Sequence, residues 1–144
     1  MELIYLFLIV FVIFYLKNRV RQKSSPETNI QQVGEIEGDG DFEQEVVGES
    51  NYQKDLRQIL KRLGSRRVCK ALLYLEDENK YDSQAVCVFV DKRRVGYLSR
   101  VDAREFRKDL KAKGIVSGGY SCNAKLFGGT KEKPSIGVWL DIRK

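Results

Sequence analysis

Two short segments carry the residue types that could do chemistry. Glu76-x-x-Asn79-x-Tyr81-Asp82 sets an aromatic ring beside a carboxylate in a polar turn, and Val95-Gly-Tyr-Leu-Ser-Arg100 sets a second ring, Tyr97, three residues before a cation. Rings stack on nucleobases, an arginine pairs with phosphate, and a carboxylate accepts a hydrogen bond from a sugar hydroxyl while repelling a phosphate. A carboxylate beside a terminal sugar would favour a free 3′-OH over a continuing strand. The same residues also fit a plainer arrangement, in which Tyr81 and Tyr97 pack partly into a core and Asp82 caps a turn. A third use is a Mg²⁺ site of a nuclease, with Glu76, Asp77, Glu78 and Asp82 as ligands, against which stands a simply solvated acidic turn.

Other catalytic parts are missing. The chain has no His, the commonest acid–base residue, and no G-x-S-x-G, P-loop or metal-ligand spacing. Gly118-Gly119 and Gly128-Gly129 lack the strand–loop–helix setting of a phosphate cradle and read as turns. Cys69, Cys87 and Cys122 are odd in number and sit in strand-like runs, so they read as small buried hydrophobes of a reducing compartment, without a C-x-x-C pair. The expectation is a binding domain that is not an enzyme and holds no cofactor or metal.

The elements that must position these residues begin at Phe42. Phe42 to Val47 reads as a strand closed by Gly48, and Tyr52, Leu56, Ile59, Leu60 and Leu63 recur at helical spacing up to Gly64. Val68–Leu75 and Gln84–Val90 are β-rich and flank the polar turn; Val95–Leu98 is a brief strand after the basic turn Asp91–Arg94. Ser99 with Asp102 three residues on opens a second helix, whose inward stripe is Val101, Phe106 and Leu110 and whose end is Gly114. Ser121–Phe127 and Ile136–Ile142 complete the set. Some six strands and two helices predict an α+β domain over residues 42–144, a small OB-like or SH3-like curled β-barrel with helices packed on it.

Charge and hydropathy divide the rest. The formal charge is +6, yet Glu27 to Glu49 holds eight acidic residues and no basic ones, just after the basic cluster Lys17, Arg19, Arg21 and Lys23. Setting aside that cluster, Glu2 and the eight acids leaves 22 Lys and Arg against 11 Asp and Glu in residues 50–144, a charge of +11 that suits a polyanion or an anionic lipid surface as well as plain solubility. Residues 21–41, with Ser-Ser-Pro and few large apolar side chains, read as a flexible acidic linker. Leu3 to Leu16 is apolar all round, so as a helix it belongs in lipid or in the middle of a core. Its rise of about 21 Å is short of the roughly 30 Å of a bilayer's hydrocarbon. Snorkelling by Lys17 and Arg19, local thinning of the bilayer, and Tyr5 and Tyr15 at the interfaces make up the difference. Residues 1–20 are therefore expected to be a single-pass transmembrane anchor, uncleaved, with the N-terminus outside and the following domain cytoplasmic by the positive-inside rule.

Taken together, Glu45-Val-Val-Gly-Glu-Ser50, Leu75-Glu-x-x-Asn79-x-Tyr-Asp-x-x-Ala-Val86, Val95-Gly-Tyr-Leu-Ser-Arg100 and Gly128-Gly129 before Val138-Trp-Leu-Asp141 resemble a HIRAN domain, over about Phe42 to Ile142. The resemblance implies a modified OB-like barrel that captures the 3′ end of single-stranded DNA, in replication, repair or a DNA-linked defence process. It implies that Tyr81 stacks on the terminal nucleotide, Asp82 accepts from the 3′-OH, Tyr97 lines the pocket and Arg100 holds a phosphate. After Val-Val-Gly-x the DNA-end binders have a basic residue and then an aromatic; this chain has Ser50 and Asn51, with Tyr52 next, which removes one phosphate contact and one stacking surface. The family's zinc and nucleotide-hydrolysis associations belong to large fused proteins, so an ATPase, helicase or nuclease partner would be a separate chain. The rival expectation is an adaptor for a protein or for anionic lipid, without DNA-end specificity.

Overall fold

Strand-forming runs whose apolar residues alternate must bury one face, and in this chain they do so around one shared core. The computed structural model describes residues 30–143. Seven strands form one sheet: β1 (Gln32–Glu35), β2 (Gln44–Glu45), β3 (Val68–Glu76), β4 (Ala85–Val90), β5 (Arg93–Tyr97), β6 (Gly119–Gly128) and β7 (Ile136–Leu140). Two helices, α1 (Gln53–Leu63) and α2 (Arg100–Ala112), complete the domain, with a 3-10 turn at Glu49–Tyr52 before α1. Six strands run antiparallel in the order β2-β7-β6-β3-β4-β5, a curled half-barrel. A bridge joins the ends of that path: the Val47 amide donates to the Tyr97 carbonyl at 2.8 Å and the Tyr97 amide to the Val47 carbonyl at 2.9 Å. The α+β class and the two helices thus agree with the expectation.

The core is built from alternate residues. Ala71, Leu73 and Leu75 of β3 point inward with Val86, Val88 and Val90 of β4, and Leu56, Ile59 and Leu63 of α1 pack on them with Val138 and Leu140 of β7. The cysteines follow the sequence expectation: all three are free thiols, Cys87 and Cys122 fully buried and Cys69 partly. Helix ends obey local chemistry. Ser99 Oγ accepts from the Asp102 amide at 3.1 Å and donates to Asp102 Oδ2 at 2.7 Å, the expected cap of α2. Gly64 ends α1 with its amide on the Leu60 carbonyl at 2.9 Å.

Four expectations need correction. Val101, expected in the inward stripe of α2, is 68% exposed; Ala103 takes the inward place beside Phe106 and Leu110, because Val101 falls on the side of the helix turned from the core. The strand expected over 42–47 is reduced to Gln44–Glu45, because Phe42 adopts a positive φ of 51° and breaks the extended run. The turn expected from Asp91 to Arg94 is only two residues long, Asp91 and Lys92, both at positive φ, so Arg93 and Arg94 belong to β5. The acidic stretch 21–41, expected to be a flexible linker throughout, contains β1, which pairs parallel with β6 from Gln32 opposite Gly119 to Glu35 opposite Ser121. Close packing and a few apolar contacts hold it: Ile36 packs on the core, Gly34 lies against the Tyr120 ring, Ile30 against Gly119, and Gly38 against Asp141. Gln32 Nε2 also donates to Ser121 Oγ at 2.8 Å, and the Gly40 amide donates to Asp141 Oδ1 at 2.8 Å. Among the described residues no helix is long and apolar enough to cross a membrane, and the apolar run Leu3–Leu16 lies outside them.

Candidate functional site

The β3–β4 turn is held by its own side chains. Asn79 Oδ1 accepts from the amides of Tyr81 at 2.9 Å and Asp82 at 3.0 Å, while Asn79 Nδ2 donates to Glu76 Oε2 at 2.7 Å. Asp82 Oδ1 in turn accepts from the Gln84 amide at 3.0 Å. With the backbone fixed by these Asx turns, the Tyr81 ring is thrown into solvent, 90% exposed, and the Asp82 carboxylate is kept back at 14%. Asp82 faces the first turn of α2. Its Oδ2 lies 3.9 Å from Arg100 Nε and its Oδ1 lies 3.5 Å from Arg104 Nη2, both beyond a good hydrogen bond. The carboxylate is thus electrostatically paired, and its Oδ2 accepts no hydrogen bond from the described residues.

A second group of side chains covers the outer side of β4 and β5. The Arg94 guanidinium sits 5.7 Å from the Phe89 ring centre and 5.4 Å from that of Tyr97. Its Nη1 donates to the Tyr97 hydroxyl at 2.6 Å and its Nη2 to Glu76 Oε1 at 2.7 Å. Burial, and after it the neighbouring Cys87 thiol, push the Tyr97 hydroxyl well above the usual tyrosine range, against the pull of Arg94. Through Arg94, Glu76 and Asn79, Tyr97 is linked by an unbroken chain of hydrogen bonds to the turn that carries Tyr81 and Asp82.

The third group is the 3-10 turn, which packs on β5. Gly48 precedes it at a φ of 81°, and its carbonyl accepts from the Asn51 amide at 3.2 Å. Ser50 and Asn51 are exposed, whereas Tyr52 is half-buried against the core, close enough to Arg94 and Tyr97 to act on their titration.

The residues singled out from the sequence are therefore brought together in part. Asp82 and Arg100 meet directly, Tyr97 joins them through intermediaries, Tyr81 projects beside them, and Tyr52 flanks Tyr97. Tyr97 is half-buried and not sealed inside. Asp82 serves the plainer role as well, since it does cap its turn. Sequence reasoning did not single out Arg94 or Arg104. Arg104 was findable, standing one helical turn after Arg100. Arg94 was not, because it reaches the Tyr97 ring only through the register shift between Val88 and Phe89, which no residue type announces.

The acidic residues of the turn diverge. Glu76 goes to Arg94 of β5, while Asp77 and Asp82 go to different arginines of α2, Asp77 Oδ1 accepting from Arg107 Nη1 at 2.7 Å and Asp82 facing Arg100 and Arg104. Among the described residues no group of His, Cys, Asp and Glu is arranged to hold a metal ion. The glycine pairs, expected as turns, straddle the two ends of β6: Gly119 and Gly128 are its first and last residues, and Gly118, Gly128 and Gly129 are at positive φ.

The features on hand define a class: a small α+β domain with a cationic, ring-flanked surface at one end of a curled sheet. Comparison with protein-family models, with curated proteins and with solved structures finds no match for the chain.

Proposed function

We propose that this chain is a nucleic-acid-binding module of HIRAN type and OB-like fold, which captures the 3′ end of single-stranded DNA and is tethered to a membrane through residues 3–16. It performs no chemistry of its own and works beside a separate ATPase, helicase or nuclease. The observation that carries the reading is Asp82: a withdrawn carboxylate whose Oδ2 accepts no hydrogen bond from the described residues, beside a projecting tyrosine and two arginines. A 3′-OH donates to Asp82 Oδ2, Tyr81 stacks on the terminal base, and Arg100 and Arg104 hold the phosphate on its 5′ side. A 3′-phosphate in the same place meets the carboxylate and is repelled. Tyr97, with Tyr52 beside it, lines the pocket, and the exposed Ser50 and Asn51 touch the strand through hydrogen bonds only.

Fluorescence anisotropy of the full chain in neutral detergent, with oligonucleotides ending in 3′-OH or 3′-phosphate, tests this. The 3′-OH strand should bind about tenfold more tightly, the scale of a hydrogen bond to a charged group. Asp82→Asn, which keeps the turn's acceptor, should bring the two strands level. Equal binding to both by the unsubstituted chain removes end capture. Ser50 and Asn51, in place of a cation and a ring, favour a second reading, an adaptor for anionic lipid; strong binding to phosphatidylserine vesicles that DNA cannot compete away would support it.

A further inference from the structure

Charge on α2 is segregated. At about 100° per residue, Arg100, Arg104, Arg107, Lys108 and Lys111 fall within one arc of roughly 100°, while Asp102, Glu105 and Asp109 fall on another side and Ala103, Phe106 and Leu110 face the core. A helix surface that served solubility alone would interleave the two signs. Arg107 is committed to the fold: it donates to the Gln84 carbonyl at 2.8 Å, to the Ala85 carbonyl at 2.9 Å and to Asp77. Arg100, Arg104, Lys108 and Lys111 are exposed along the helix, a rail of cations that begins at Asp82.

Beside this rail runs a groove of about 390 Å³. Its wall is Arg104, Lys108 and Lys111, and its floor includes Leu75, Ile115 and Val116, the last 65% exposed. Gln84 and Arg104 line it, and the Gln84 amide is bonded to Asp82, which Arg104 faces, so the groove lies next to the proposed terminus site. Cations four residues apart on a helix are offset by about 6 Å along its axis, against about 3.4 Å per nucleotide along a stacked strand and more in an extended one. Cations one turn apart therefore meet every second phosphate of a stacked strand, or each phosphate of a stretched one.

We infer that the strand captured at Asp82 continues in the 5′ direction along this groove, with phosphates on Arg104, Lys108 and Lys111 and bases on the apolar floor. The inference rests on the proposed DNA reading and sets its footprint at three to four nucleotides, by the length of the rail. Duplex DNA does not fit a floor that takes unpaired bases.

The test uses the full chain with 3′-OH oligothymidylates of two to eight nucleotides at several salt concentrations. Affinity should climb up to about four nucleotides and then level off. Lys108→Gln/Lys111→Gln should reduce the slope of log K against log salt by about 1.4, two cations at about 0.7 each for a single strand, and should erase the gain beyond two nucleotides. It should leave the preference for 3′-OH over 3′-phosphate intact, whereas Asp82→Asn does the reverse. Lys131→Gln/Lys133→Gln, in the β6–β7 loop, should change neither quantity. An unchanged slope in the α2 variant, or an equal fall in the loop variant, overturns the track while leaving end capture standing. So does a variant that loses only its binding to phosphatidylserine vesicles. Loss of length dependence without any 3′-OH preference in the unsubstituted chain overturns end capture and supports the track alone.

Discussion

A single carboxylate shows how much context a residue needs. Asp82 was visible in the sequence as an acid beside a ring, yet its character comes from Asn79, which bonds two successive amides and turns the Tyr81 ring outward. The Asx pattern was legible, since Asn three residues before Asp is a turn signal; the tie from Asn79 to Glu76 and on to Arg94 was not, because it depends on how β3 and β5 lie across β4. The cysteines were easier. Their expected burial is what sets their chemistry: loss of solvent pushes the thiols of Cys87 and Cys122 up from 9.0 to about 12 and that of Cys69 to about 11. A thiol whose folded value is raised contributes its full stabilisation below the unfolded value and loses it as pH climbs. Stability toward urea should accordingly decline from about pH 9 toward about pH 12. In Cys87→Ala/Cys122→Ala the fall between pH 8 and pH 10.5 should be shallower than in the unsubstituted chain; parallel curves would refute the assignment.

At the scale of elements, both helices were legible with their caps, because capping and periodicity are local. Strands were legible as apolar alternation but their ends were not. β6 runs from Gly119 to Gly128, longer at both ends than its apolar stretch, because β3, β1 and β7 each supply backbone partners. β1 was missed for the same reason: its place depends on backbone pairing with β6 and on the close approach at Gly34 and Gly119, and the scattered Ile30, Val33 and Ile36 make no alternating run. Gly96 is the sharpest case. It sits at a φ of +155°, and a Cβ there would lie 2.5 Å from Val46 Cγ1 and 2.5 Å from the Val47 carbonyl oxygen. Gly96→Ala should cost about 1–3 kcal/mol through this crowding. Because the crowding falls where β5 meets Val47, it should also weaken oligonucleotide binding by displacing Tyr97, whereas Gly114→Ala, with open space around it, should spare binding; thermal denaturation and anisotropy on both variants decide this.

For the whole molecule, the sheet path brings residues far apart in the chain to one end. Ile30 lies beside Gly119, which pairs with Tyr74, two residues before Glu76, so β1 and the turn that carries Asp82 are near one end of the sheet. The ring of strands is fastened there unequally. Most neighbouring strands share long ladders, but β5 meets the start of the chain's barrel portion only through Val47 and Tyr97. A seam of two hydrogen bonds should breathe more often than the rest of the sheet, so deuterium should enter the Val47 and Tyr97 amides sooner than those of β3. Tyr97 belongs at once to that seam and to the proposed DNA-end site. A bound strand end would act as a clasp across it, and its arrival should be readable, without any label on the DNA, as slowed exchange at these two amides.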